Sequence, residues 1–182
     1  MGQHRLLGIC GALRRGSTNR KLLLEAARMY GDAEFAVADL RLPLYDGDLE
    51  TSAGIPTQVQ TLADQIANSD AVLIASPEYN KALTGVLKNA LDWVSRVDGN
   101  PWLGKPVAIM SANAGRTGGE AGQFSLRLAM VSFNARLLQG PQVMIANSGK
   151  EFDADDRLQN ERSLATLEKL VQALHNAVDD AG

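Results

Sequence analysis

Three short stretches of this chain carry side chains able to hold a ligand, and each follows an apolar run. The first is Gly11-Ala12-Leu13-Arg14-Arg15-Gly16-Ser17-Thr18-Asn19, which follows Leu6-Leu7-Gly8-Ile9-Cys10. That run has the length of a buried strand. From Asn19 a helical pattern begins, with Leu22, Leu23, Ala26, Ala27 and Tyr30 on one face. A helix start offers N–H groups without intrahelical partners and a partial positive charge of about half an elementary charge, so it suits a phosphate. Ser17, Thr18 and Asn19 can cap the helix or donate to phosphate oxygens, and Arg14, Arg15 and Arg20 add positive potential. There is no G-K-[ST], so the lysine of a P-loop is missing, and Gly8, Gly11 and Gly16 do not fit G-x-G-x-x-G. A hydroxyl-rich loop with neither signature suits the phosphate of a mononucleotide. Taken alone, it reads equally well as an ordinary turn whose Ser and Thr cap a helix.

The second stretch, Ser76-Pro77-Glu78-Tyr79-Asn80, closes the run Asp70-Ala71-Val72-Leu73-Ile74-Ala75. Pro77 resists continuing a strand ladder, so the chain must turn at the strand's carboxyl end. An aromatic ring beside amide and carboxylate edges is what a flat heteroaromatic ring needs. The third, Ser111 to Gly119, follows Pro106-Val107-Ala108-Ile109-Met110, and its glycines let backbone approach a planar ligand closely. Phosphate at one end and a planar polar ring at the other describe flavin mononucleotide (FMN).

The elements that must position these stretches alternate along the chain. Glu34–Ala38 reads as a second strand, followed by a long connection from Asp39 to Ile55 anchored by Leu42, Leu44 and Tyr45. Pro56 opens a helix with Val59, Leu62, Ala63 and Ile66 on its apolar face. The third strand, 70–75, is continuously apolar, which implies burial on both faces as in a parallel sheet. A helix follows over Thr84–Arg96, then the fourth strand over 106–110, then a helix over Glu120–Ala135 anchored by Phe124, Leu128 and Val131. Leu137-Leu138 and Val143-Met144-Ile145 make a broken fifth strand around Gln139-Gly140-Pro141. After a polar loop, Asn147–Asp156, the last helix carries Leu164, Leu167, Leu170, Val171, Leu174 and Val178, and Asp179–Gly182 is a short tail. Five strands alternating with five helices predict a doubly wound α/β domain with a parallel sheet. Its ligands sit beyond the carboxyl ends of the strands, where all three polar stretches converge.

Composition narrows the function. The chain has 182 residues, 45% apolar and 21% charged, with no repeat, low-complexity tract or linker, so one domain over 1–182 is expected. A net charge of -3 with dispersed basic residues argues against nucleic acid. No apolar run approaches the roughly 20 residues of a membrane helix. The opening residues, Met1 to Arg5, lead directly into the first strand and leave no room for a signal peptide. A single cysteine, Cys10, excludes an internal disulfide and fits a reducing cytoplasm; within the first strand it reads as a small buried hydrophobe.

Four stretches together carry a resemblance: Gly11 to Asn19; Pro77-Glu78-Tyr79-Asn80; Gly85-Val86-Leu87-Lys88-Asn89-Ala90-Leu91-Asp92-Trp93; and Ser111-Ala112 to Gly118-Gly119. The chain resembles the NADPH-dependent FMN reductase family, which includes bacterial quinone and chromate reductases and azoreductase-like members. The resemblance covers essentially the whole chain, and P-E-Y-N with G-x-L-K-N-A-[IL]-D-W downstream is its most specific part. It implies a flavodoxin-like three-layer fold around a five-stranded parallel sheet. It also implies roles by position. Arg14, Ser17 and Asn19 match residues that bind the FMN phosphate or ribityl chain. Pro77, Glu78, Tyr79 and Asn80 match those lining the isoalloxazine ring, and Ser111 and Gly115 match the loop on its other edge. One departure is Asn113-Ala114-Gly115-Arg116-Thr117. Relatives often carry Pro before this glycine, and Arg116 adds a charge, which bears on the shape of the substrate pocket.

The implied activity is hydride transfer from NADPH or NADH through bound FMN to quinones, with azo compounds, nitro compounds, chromate or free flavin as further acceptors. Donor and acceptor would use one exposed ring face in turn, which predicts ping-pong kinetics. No side chain need act as acid or base, so no catalytic residue is assigned. Arg14, Arg15 or Arg116 are candidates for attracting the phosphates of the nicotinamide nucleotide. Relatives form homodimers or homotetramers in which a neighbouring subunit often borders the flavin. A flavodoxin-type carrier without NAD(P)H activity is the alternative; the modest net charge and lack of a long acidic surface argue against it. A non-enzymatic flavin-binding regulatory module is a third reading.

Other residues have plainer readings. His4 and His175 lie near the two chain ends, far in sequence from the three loops, so neither a metal site nor a Ser-His-Asp set is expected. Trp93 reads as core or interface. Trp102, in a polar loop, marks a partner surface. Glu78 could be a general acid or could anchor a loop, and Asp153-Ala154-Asp155-Asp156 has the look of a helix cap.

Overall fold

The apolar runs form the strands. In a computed structural model describing residues 3–180 they are β1 (His4–Cys10), β2 (Ala33–Val37), β3 (Ala71–Ala75), β4 (Pro106–Ala112), β5 (Arg136–Leu137) and β6 (Val143–Ile145). The helices are α1 (Thr18–Tyr30), α2 (Gly47–Ala53), α3 (Thr57–Asn68), α4 (Gly85–Val94), α5 (Glu120–Met130) and α6 (Glu161–Asp179). Met1, Gly2 and the last two residues of the expected tail lie outside the described residues.

Every strand pairing is parallel, in the order β2-β1-β3-β4-β5. The expected broken fifth strand is filled by two pieces. β5 pairs with Pro106 and Val107 at the start of β4, and β6 with Met110–Ala112 at its end. Side chains alternate between two apolar layers, as the period of a strand requires. Leu6, Cys10, Leu73 and Met110 pack under α1 and α6. Leu7, Ile9, Ile74 and Ile109 pack under α3, α4 and α5. Each fully buried Leu or Ile contributes about 1.5–3 kcal/mol of transfer free energy, so these two layers fix where the strand ends lie.

Several expectations are corrected. The connection after β2 contains α2, whose N-cap Asp46 accepts a hydrogen bond from the Asp48 N–H. That helix has seven residues and buries none, so it leaves no apolar stripe to read. β4 runs two residues further than expected, which takes Ser111 and Ala112 out of the loop and into the sheet. On α5, Phe124 and Leu128 face solvent, as does Val131 just after it, while Gly122, Gln123, Leu126 and Met130 face inward. An apolar stripe does not say which side of a helix the sheet takes. Trp102 is buried against Phe133, with ring centres 6.2 Å apart, and is not a surface aromatic. The acidic run at 153–156 caps no helix. Asp153 closes its own turn by accepting from the N–H groups of Asp155 and Arg157, and α6 is capped by Asn160. His4 and His175, far apart in sequence, meet with tilted rings 5.1 Å apart on the rim where the strands begin. Among the described residues no helix is long and apolar enough to cross a membrane.

Candidate functional site

At the carboxyl ends of β1, β3 and β4 the three polar stretches meet, as expected. Backbone pairing continues past the strands. The Gly11 N–H donates to Ala75 C=O at 2.9 Å, and Ser76 N–H to Met110 C=O at 3.1 Å. A Cβ on Gly11 would overlap the Ser76 side chain, so this close approach of two loops demands glycine.

The rim encloses a cavity of about 330 Å³. The first loop and the start of α1 contribute Ala12, Arg14, Ser17, Thr18 and Asn19. The loop after β3 contributes Pro77 and Tyr79, and the end of β4 with its loop contributes Ala112, Asn113 and Ala114. Ser148 and Gly149 close it from the segment after β6. Ser17 is the N-cap of α1 by position, but its side chain accepts no hydrogen bond from the first turn. The helix therefore presents its first N–H groups to the cavity.

Asn19 is buried and spends its side chain on the sheet. Its Nδ2 donates to Ala112 C=O at 2.7 Å and its Oδ1 accepts from Ala112 N–H at 2.9 Å. This pair joins the α1 start to the β4 end and sets the width of the cavity. Thr18 Oγ1 and Ser148 Oγ, 3.0 Å apart, tie the same helix start to the segment after β6.

The loop after β3 is a tight reversal. Tyr79 and Ala82 exchange two backbone hydrogen bonds at 3.1 Å, and Asn80 and Lys81 both have positive φ, 50° and 66°. Positive φ at both central positions is the type I′ turn, for which asparagine is favoured. Asn80 thus shapes the turn, while Tyr79 stands half exposed at the cavity mouth.

Glu78 faces away from the cavity and holds it together. Its Oε2 accepts from the Gly122 N–H at the start of α5 at 3.1 Å, and its backbone N–H and C=O bind the Asn113 side chain at 3.0 and 3.2 Å. The N-cap of α5, Gly119, has no side chain to offer, so the Glu78 carboxylate does that work from another loop and meets the positive end of the helix. A Cβ on Gly122 would press on Glu78. Ser111 is fully buried, donating to Gly118 C=O at 2.6 Å and accepting from Gln123 Nε2 at 2.8 Å, so it supports the third loop from beneath. Gly115 lies exposed at that loop's tip, with open space where a Cβ would stand. Cys10 is buried beneath the first loop. Burial pushes its thiol above the ordinary range, against hydrogen bonding to Ala12 C=O.

Of the nine residues read from sequence, Arg14, Ser17, Asn19, Pro77 and Tyr79 line the cavity, Glu78, Asn80 and Ser111 form its frame, and Gly115 does not line it. Asn113, Ala114, Ser148 and Gly149 line it without having been singled out. Asn113 lay inside the third stretch, but nothing local marks Ser148 and Gly149, which reach the rim only through β6.

The sequence matches the family model for NADPH-dependent FMN reductase over residues 4–150. This chain belongs to that family. Among curated relatives, it is 40% identical to an NAD(P)H-dependent FMN reductase of Pseudomonas aeruginosa over 172 residues, covering 93% of this chain and 92% of the relative. It is 39% identical to a quinone reductase of Escherichia coli K12 over 141 residues, covering 75% and 74%. Among solved structures, the flavoenzyme NAD(P)H:(acceptor) oxidoreductase FerB of Paracoccus denitrificans superimposes with a TM-score of 0.87 at 31% identity, covering 97% of this chain and 98% of that one. The fold of this family member therefore coincides with that of a flavodoxin-like flavoenzyme.

Proposed function

We propose that this family member is an FMN-dependent NAD(P)H oxidoreductase acting on quinones. The observation that carries this reading is the cavity itself. It has an uncapped helix start and Arg14 at one end, and Tyr79, Pro77 and the Asn113 loop at the other. Those donors suit a phosphate and that wall suits a flat ring, so the residues present fit FMN. Arg14, Ser17, Thr18 and the α1 start would hold the phosphate end; Pro77, Tyr79, Asn113 and Ala114 would border the ring. When bound, FMN supplies hydride acceptance from NAD(P)H and reduction of the acceptor.

The chain's own residues position and exclude. Asn19, Glu78, Asn80 and Ser111 hold the three loops at fixed separation through the hydrogen bonds described, so the cavity is preformed rather than assembled on binding. Tyr79, exposed at the mouth, leaves one side of the ring site open to donor and acceptor in turn. Among the described residues, the charged side chain that lines the cavity is Arg14. The test is steady-state oxidation of NADPH and NADH with a quinone panel, with and without added FMN. Protein that is yellow, is bleached by NAD(P)H and is reoxidised by quinone with parallel double-reciprocal lines supports the reading. Protein that binds no FMN overturns it, and protein that binds FMN without NAD(P)H bleaching returns the carrier alternative.

We also propose a homodimer or homotetramer formed through the outer face of α5 and the turn after it, where Phe124, Leu128 and Val131 are exposed at 53%, 76% and 69%. Size-exclusion chromatography of Leu128→Glu should then give a smaller species. A reducing compartment such as the cytoplasm suits the lone buried cysteine.

A further inference from the structure

A second cavity, of about 280 Å³, opens on the β2 side of the Gly11–Ser17 loop. It shares Ala12 and Arg14 with the FMN cavity, so only that loop separates the two. Its wall carries four arginines, Arg14, Arg15, Arg20 and Arg41, and a single carboxylate, Asp39. Asp39 is already engaged: the backbone N–H of Arg41 reaches its Oδ1 at 3.0 Å and Nη1 of the same arginine at 3.1 Å. Nη2 of Arg41 also donates to Leu13 C=O at 3.3 Å, which fixes the loop after β2 against the loop after β1. Arg14 folds onto Gly16 C=O at 3.3 Å. Arg15 and Arg20 form no ion pair among the described residues. Cys10 also lines the cavity, and burial keeps its thiol neutral. The wall thus concentrates positive charge in a chain whose net charge is -3.

Two exposed guanidinium groups that line a half-open cavity and form no ion pair among the described residues suit a doubly charged phosphate monoester, which the fork of arginine binds in bidentate fashion. The proposed reaction brings a nicotinamide dinucleotide to the neighbouring cavity. Of its two forms, only NADPH carries a phosphate monoester, on the 2′ position of its adenosine. The position also has a physical parallel. In the dinucleotide-binding doubly wound fold, whose Gly-rich fingerprint this chain lacks, an acidic residue about 20 positions past the phosphate loop reads the ribose 2′-hydroxyl, and a nearby arginine accommodates the 2′-phosphate. Here the segment just past β2 offers Asp39 with its charge balanced by Arg41, and Arg15 and Arg20 opposite.

We propose that this arginine-lined cavity binds the 2′-phosphate of NADPH and makes the chain prefer NADPH over NADH. The inference rests on the oxidoreductase reading. Arg116, at the tip of the loop after β4, lines neither cavity and has no part in it.

The test compares kcat/KM for NADPH and NADH in FMN-loaded wild type, Arg15→Ala, Arg20→Ala, the double variant and Arg116→Ala. The NADPH/NADH ratio is expected to fall about tenfold in each single variant and about a hundredfold in the double variant, each lost guanidinium–phosphate contact being worth roughly a factor of ten. Arg20→Lys should recover part of the loss. A ratio that stays constant, or that moves only in Arg116→Ala, overturns the proposal. Calorimetric titration of FMN-loaded protein with 2′,5′-ADP and with 5′-AMP reads the cavity without any turnover. Tighter binding of 2′,5′-ADP, lost in the double variant, supports the site, and equal binding of the two nucleotides overturns it. Failure to bind FMN or to oxidise either donor would instead strike the oxidoreductase reading, while the nucleotide titration still reports on this cavity.

Discussion

The two rims of the sheet are built from similar residue types and use them differently. Where the strands begin, polar side chains end on one another or on nearby backbone. His4 Nδ1 and Tyr30 Oη lie 2.9 Å apart, and His175 Nδ1 lies 3.1 Å from Asp179. Asp70 accepts from Arg5 N–H at 2.7 Å, and Lys105 is tied to the carbonyls of Ala67 and Ser69. Where the strands end, buried polar groups are spent on framing loops, and what they frame is left free: the α1 start, Tyr79, Arg15 and Arg20. One rim is closed by its own hydrogen bonds; the other is completed by a ligand. Polar residues at a sheet end therefore do not identify a site by themselves. What identifies it is donors held in place by other residues and left without partners.

The contrast can be broken most severely at Asn19. Asn19→Ala leaves the Ala112 N–H and C=O unpaired in a buried place, at a cost of about 2–4 kcal/mol. A urea midpoint well below wild type, together with weakened FMN retention, is the expected result; an unchanged midpoint would falsify the framing role. Midway along α1, the buried Glu25 carboxylate is bound by Arg28 at 2.7 Å and Arg157 at 2.8 Å. Burial alone would raise its pKa, but the two hydrogen-bonded arginines prevail and hold it below the ordinary carboxylate value. Since the folded pKa is the lower one, this stability is present above the ordinary value of 4.5 and is lost as pH falls through the folded pKa. Arg157→Ala should cost about 1–3 kcal/mol at neutral pH and flatten the acid limb of a stability profile.

A smaller effect is expected at the mouth. Tyr79→Ala removes ring-facing surface that the fold does not need, so FMN affinity should fall about tenfold, roughly 1.4 kcal/mol, with the thermal midpoint unmoved. Fluorescence titration with FMN checks it, and loss of stability in place of affinity would assign Tyr79 to the frame. The closed rim gives the smallest change, confined to alkaline pH. Burial first, then the Asp179 and Asp70 charges, push the Tyr30 hydroxyl up to about 12 from 10.0. A raised folded pKa means stability is intact below pH 10 and declines as pH rises towards 12. Tyr30→Phe should lose that slope while FMN binding stays as in wild type; a slope that persists in the variant would place its origin elsewhere.

Much of this was legible in the chain. The continuous apolar runs gave β1, β3 and β4, because strands buried on both faces read as short unbroken apolar runs and turn residues bound each of these to strand length. The small-residue loops at their carboxyl ends followed from strand–turn–helix order, and the break around Gln139-Gly140-Pro141 marked the split between β5 and β6. The α2 helix escaped because it buries nothing. The α5 face was misassigned because its strongest apolar stripe is the solvent side, and Gly122 and Gln123 take the inner side for reasons that lie on Glu78 and Ser111.

The chain alone determined the order of elements other than α2, the sheet's parallel character and the three loops, since these depend on hydrophobic period and on turn chemistry within a few residues. Only the tertiary structure decided which residues touch a ligand and which hold the loops that do. Asn19, Glu78 and Ser111 look like ligand contacts in sequence, yet their partners, Ala112, Gly122 and Gly118, are reached across the sheet rim or around a loop. The same holds for the arginine cavity, whose wall joins residues 10–20 to 37–41 only because β1 and β2 lie side by side. Hydrogen bonds saturate, so a polar side chain serves the frame or the ligand according to what packing places within 3 Å of it.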